Sequence, residues 1–143
     1  MDEPFALHPR LAADTHELAR WPLSRLLLMD DCRWPWLVLV PGRPGVREIH
    51  DLAPADRTLL VEEIARAGRL LQRLAAPDKI NVGALGNLVP QLHVHVVARF
   101  TTDPAWPGPV WGFGTRRPYA AAALAERRDA LGALLAGPDG APP

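Results

Sequence analysis

From Pro54 to Ala76 the sequence holds one sustained helical period, with Leu60, Ile64, Ala67, Leu71 and Leu74 recurring at steps of four, three, four and three residues. Pro54 suits a first helical turn, Asp56 complements the positive end of the helix dipole, and Pro77 forbids continuation. Such a helix has one apolar stripe to bury, and the remaining periodic segments are short β-like runs, so it must lie on a sheet. Gly68 weakens the helix interior by roughly 1 kcal/mol relative to alanine, and close packing against that sheet is the expected reason for it.

The runs are His16 to Arg20, Arg25 to Asp30, Trp36 to Val40, Lys79 to Ala84 and Gln91 to Phe100. Most of the sixteen prolines and eleven glycines fall between them, as in Pro41-Gly42-Arg43-Pro44-Gly45. Arg33-Trp34-Pro35 reads as a tight connection between two antiparallel strands, and Pro118 to Ala136 as a second, Ala-rich helix with a thin stripe of Leu124, Leu131 and Leu135. The expected fold is α+β, a mostly antiparallel sheet of about five strands with one main helix and a C-terminal helix. Residues 1–138 form a single domain on this reading, and 139–143 a disordered tail.

The charges balance, with 16 basic and 16 acidic side chains, which leaves no general electrostatic footprint for nucleic acid or an anionic membrane. The longest apolar runs fall far short of the roughly 20 residues a membrane-spanning helix needs. Met1-Asp2-Glu3-Pro4 has no apolar core of a secretory signal, and the single Cys32 cannot form an internal disulfide. A cytoplasmic location is expected, with neither nucleic acid nor membrane as partner.

Chemistry concentrates in Gln91-Leu92-His93-Val94-His95-Val96-Val97. On a strand, residues 91, 93, 95 and 97 share one face while Leu92, Val94 and Val96 face the core. Two imidazoles then stand roughly 6 to 7 Å apart along the strand. Three readings follow. In the first, the pair is two structural histidines that happen to alternate. In the second, it binds a metal, which needs further ligands; His8, His16, His50 and Cys32 are available, but none stands at a recognisable metal-ligand spacing, and no metal or other cofactor is expected. In the third, His93 attacks phosphorus as a neutral imidazole, forming a transient phosphoramidate. That chemistry needs a fixed tautomer, donors for the phosphoryl oxygens and an acid near the leaving group. Gln91 and His95 would flank the nucleophile, and backbone N–H groups around Gly86 and Asn87 would supply further donors.

Gly86-Asn87-Leu88-Val89-Pro90-Gln91-Leu92-His93-Val94-His95-Val96-Val97-Ala98-Arg99 resembles the signature of the histidine-triad (HIT) superfamily, His-φ-His-φ-His-φ-φ with φ hydrophobic. Leu28-Met29-Asp30 followed by Leu37 to Pro41 is similar to the family's nucleotide-cradling strand pair, Ile49-His50-Asp51-Leu52 to the start of its long helix, and Ile80-Asn81-Val82-Gly83 to its phosphate-contacting strand. The resemblance spans roughly residues 24 to 112 and implies a HIT-like fold, a homodimer and a nucleotide hydrolase or transferase. Its substrates would be nucleoside phosphate esters, anhydrides or phosphoramidates of the dinucleoside polyphosphate type. It implies His93 as nucleophile through a covalent nucleotidyl-histidine, and His95 on the phosphate or its bridging oxygen. Asn81 and Asn87 would hold phosphate oxygens beside Gly86, and Asp30 the ribose hydroxyls. The alternatives are a nucleotide sensor without catalysis on the same fold, and a metal-binding protein.

Two positions depart from the pattern. Gln91 stands where the family has its first histidine, and an amide can hydrogen-bond but not carry the proton. Trp34-Pro35-Trp36 replaces the usual Pro-Gly-His. A surplus of apolar and Trp residues for so short a chain gives a second reason to expect a partner copy. The Pro- and Trp-rich stretch Asp103 to Gly112 reads either as a braced surface loop or as a wall of the substrate pocket.

Overall fold

The long apolar stripe and the short alternating runs assemble as a sheet with helices across it. A computed structural model describes residues 4–138. Helix α1 (Pro9–Asp14) precedes strands β1 (Thr15–Arg20), β2 (Ser24–Met29) and β3 (Trp36–Pro41). A 3₁₀ turn (Ile49–Asp51) leads into α2 (Pro54–Ala75), then β4 (Lys79–Gly83), β5 (Val94–Arg99) and α3 (Ala121–Leu135). All pairings are antiparallel in the order β1-β2-β3-β5-β4, which leaves β4 at one edge and β5, with His95, inside. The tail expected at 139–143 lies outside the described residues. Among them no helix is long and apolar enough to cross a membrane.

Helix α2 starts with Pro54 in its first turn and ends on Ala76 in the left-handed conformation, directly before Pro77. Its stripe, with Leu70 added to the expected positions, covers Leu26, Leu28, Leu37, Leu39, Val94 and Val96 of the sheet. Gly68 does not touch the sheet: a Cβ there would meet nothing within 4 Å, so close packing is not its reason. Helix α2 also carries a buried polar residue that its period did not signal. Both carboxylate oxygens of Glu63 accept from the backbone N–H groups of Leu23 and Ser24, at 2.9 and 3.0 Å. The β1–β2 turn is thereby pinned to the helix, since those N–H groups would otherwise be buried without partners. Helix α3 contributes only Leu131 to the fully buried set, as its thin stripe foretold.

The opposite sheet face is not open. Leu27, Trp34, Trp36, Val38, Val40 and Val97 form a second cluster with Leu11 of α1, Val89 and Val110. Every residue of β3 and β5 is consequently buried. The Trp surplus that suggested a partner copy is therefore partly used within the chain.

The β5 ladder begins at Val94, three residues later than the alternation suggested. The backbone before it is otherwise engaged. Leu92 N–H donates to the Val46 carbonyl at 3.1 Å, and the Gln91 carbonyl is occupied by a side chain described below.

Candidate functional site

His93 precedes the ladder and His95 lies within it, so both rings point to the α1 side of the sheet. Their centroids are 5.1 Å apart with the planes 73° from parallel. Both residues are buried. His93 Nδ1 lies 2.7 Å from the carbonyl oxygen of Gln91. Two acceptors would repel at that distance, so Nδ1 carries the proton and, in the neutral ring, Nε2 keeps its lone pair. The chain two residues upstream thus fixes the tautomer that a nucleophile needs.

His95 is held differently. Its Nδ1 accepts a 3.0 Å hydrogen bond from Trp36 Nε1, and the ring makes edge contacts with Trp36 and Trp111 at centroid distances of 5.6 Å each. Burial, followed by the neighbouring His93, pushes its pKa down to about 4, so the ring is neutral at physiological pH. Trp111 reaches it because Gly83, paired with His95 across the sheet, has no side chain. A Cβ at position 83 would stand 2.9 Å from Trp111 Cη2.

Both imidazoles open onto a cavity of about 370 Å³ lined by Arg10, Leu11 and Asp14 of the α1 segment, Met29 at the end of β2, and Leu85 to Val89. Gly86 there adopts φ +74°, a left-handed conformation that suits glycine, and Asn87 is exposed beside it. A second, smaller cavity of about 240 Å³, lined by Arg47, Glu48 and His50, shares His93 and the Leu85-Gly86 backbone with the first.

The structure thus brings His93, His95, Gly86 and Asn87 together. The other expected site residues stand apart from the main cavity. Gln91 turns its amide away: Oε1 accepts from His8 N–H and Nε2 donates to the Ala6 carbonyl, each at 2.9 Å, tying the N-terminal segment to the histidine strand. Only its backbone carbonyl serves His93. Asp30 Oδ1 accepts from Tyr119 N–H at 3.0 Å and lies 3.3 Å from His16 Nε2. Asn81 Oδ1 accepts from the buried Arg99 guanidinium at 2.8 Å.

Asp14, Arg10 and the Trp36–His95 pair were not anticipated. Nothing local marks Asp14, a lone acidic residue at the end of a six-residue helix. Trp36 was visible as a departure from the family pattern, but its partner was not. The Trp-rich loop is braced by Asp103, which forms a buried bidentate ion pair with Arg99 at 2.8 and 3.1 Å. Asp103 also accepts from the N–H groups of Phe100, Ala105 and Trp106. Trp106 faces the Arg99 guanidinium at 5.7 Å. Among the described residues no group of three or more His, Cys, Asp or Glu lies together as a metal site would require.

The HIT domain profile matches residues 10–102. A histidine triad protein from Marinobacter aquaeolei VT8 is 45% identical, covering 92% of this chain and 96% of its own, with a TM-score of 0.89. One from Bradyrhizobium japonicum is also 45% identical, covering 90% and 96%, at 0.87. A third, from Sinorhizobium meliloti 1021, is 42% identical, covering 89% and 94%, at 0.86. No curated protein matches the chain.

Proposed function

The chain belongs to the HIT domain family, and from that premise we propose that it is a nucleotide hydrolase or transferase that passes through a nucleotidyl group bound to His93. The observation that carries this reading is the 2.7 Å contact between His93 Nδ1 and the Gln91 carbonyl, which leaves Nε2 with its lone pair on a ring that lines the main cavity. Attack of Nε2 on the α-phosphorus forms the P–N bond as the bond to the leaving group breaks. The ring then carries a positive charge, and its Nδ1–H bond to the Gln91 carbonyl becomes charge-assisted and stronger. Water or another acceptor next forms a bond to phosphorus and releases its proton to solvent, the P–N bond breaks, and the electron pair returns to Nε2.

The apolar part of the cavity, Leu11, Met29, Leu88 and Val89, suits a base. The Asp14 carboxylate takes the part of ribose acceptor that the family resemblance implied for Asp30, and Asn87 with the Gly86 turn supplies phosphate donors. Asn81 would support the phosphate end through Arg99.

The decisive experiment incubates the protein with dinucleoside polyphosphates, adenylylated carboxylates and adenosine phosphoramidates. Released nucleotide is expected, together with an acid-labile radiolabel trapped on His93. Nucleotide binding without turnover of any of them would overturn the enzyme reading and leave a sensor.

The reading includes a homodimer. It is supported by the family and by edge strand β4, whose Val82 is exposed beside Leu85 and Leu88 of the following loop. Sedimentation at micromolar concentration is expected to give twice 15.6 kDa; a monomer would count against it.

A further inference from the structure

An indole N–H can donate a hydrogen bond but not accept one. We infer that Trp36 locks His95 in a single neutral tautomer, which makes it a permanent hydrogen-bond donor to the substrate and not the acid that protonates the leaving group. The site is then suited to nucleotide anhydrides, whose oxyanion leaving groups depart without a proton. This rests on His93 being the nucleophile.

The argument is one of valence. His95 Nδ1, 3.0 Å from Trp36 Nε1, must present its lone pair, so the one proton of the neutral ring sits on Nε2. Forming the imidazolium would place a second proton on Nδ1, against the indole hydrogen. Giving up the Nε2 proton would leave an imidazolate, which is prohibitively basic. Burial opposes the charged form as well and acts in the same direction.

The side chains packed against the His95 ring do not change this. His95 is flanked by Trp36 and Val38 of β3, by Gly83 of β4 and by Trp111, none of which titrates. The titratable or charged groups facing it are His93, just before β5, and, across the cavity, Arg10 and Asp14 of α1. The Gln91 amide has no acidic proton to give and is bonded to the N-terminal segment. When the Nε2 lone pair of His93 forms the P–N bond, the electron pair of the breaking bond must therefore stay on the leaving atom. A phosphate or carboxylate oxygen accepts it readily; an amine nitrogen would depart as an amide anion.

Trp36 is thus a positioning residue, and the test begins without activity. Long-range ¹H–¹⁵N spectra of histidine-labelled protein between pH 5 and 8 are expected to show His95 with a protonated Nε2, an unprotonated Nδ1 and no titration. Trp36→Phe keeps an aromatic ring but removes the donor. It is expected to mix the two tautomers and raise the midpoint of His95 by roughly one pH unit. A wild-type His95 that titrates within this range, or that protonates Nδ1, overturns the lock even if Trp36→Phe does not fold.

The second measurement compares adenylates that share a nucleoside but differ in leaving group. Acyl and phosphoryl anhydrides are expected to turn over at least about 100-fold faster than matched phosphoramidates, the scale of missing acid assistance. Equal rates with the tautomer intact would overturn the substrate assignment alone. Turnover of none of them would instead sink the nucleophile reading, while the spectra still decide the state of His95.

Discussion

His93→Ala is expected to lower nucleotide turnover by roughly 10⁴-fold or more, the scale seen when a covalent nucleophile is removed, and to abolish the trapped nucleotidyl group. The fold should survive. The ring gives up one hydrogen bond, to the Gln91 carbonyl, worth about 1 kcal/mol, and it borders two cavities, so its loss enlarges space already open. Nucleotide affinity should change little, because the residues suited to base and ribose lie on α1, β2 and the Leu88–Val89 stretch. Equilibrium binding and single-turnover rates on the same variant separate these effects. Wild-type turnover in the variant would remove His93 as nucleophile whatever the binding shows.

The second large effect is on stability. Asp103→Ala should cost about 3–5 kcal/mol, because it leaves the Arg99 guanidinium, 1% exposed, without its anion. Against a typical total of about 5–15 kcal/mol that is a substantial share, and urea denaturation will read it as a lower midpoint. The same carboxylate predicts an acid limb. Burial alone would raise its pKa, but hydrogen bonds from Arg99 and from the backbone N–H groups of Phe100 and Ala105 outweigh burial and hold it well below the usual carboxylate range. A group whose folded pKa is depressed binds its proton first in the unfolded chain. Its contribution is thus complete above about pH 5 and is lost as pH falls through about 4 and below. Asp103→Asn should flatten that limb. An unchanged acid profile in Asp103→Asn would show that the pair contributes nothing to it.

Much of this molecule could be read from the chain, and what could not has a common physical origin. The helix from Pro54, the strands and the two imidazoles follow from local period and local breakers, which act within a few residues. His93 stood out from the alternation alone, and the carbonyl that sets its tautomer is only two residues away. The lock on His95 was not legible, because Trp36 lies 59 positions upstream and meets it only when β3 pairs with β5. Gln91 shows the same limit. The sequence made its amide a candidate for the site, yet the amide is bound to residues 83 and 85 positions away. The alternation from Gln91 to Phe100 was sound as a pattern of faces, but a face does not reveal which backbone groups are already taken, and so the ladder starts late. Nor does it reveal what covers it. His95 lies against Trp36 of β3 and Trp111 of a loop that the sequence left open between braced surface and pocket wall.

The contact of Trp111 with Gly83 makes two residues in different segments answerable to one another. A bulkier residue at 83 would displace the indole, and a smaller ring at 111 would leave a gap above the sheet beside His95. Neither position is free to drift alone. In descendants of this chain the two sites should be inherited as a pair, with a change at one surviving only where the other has already given way.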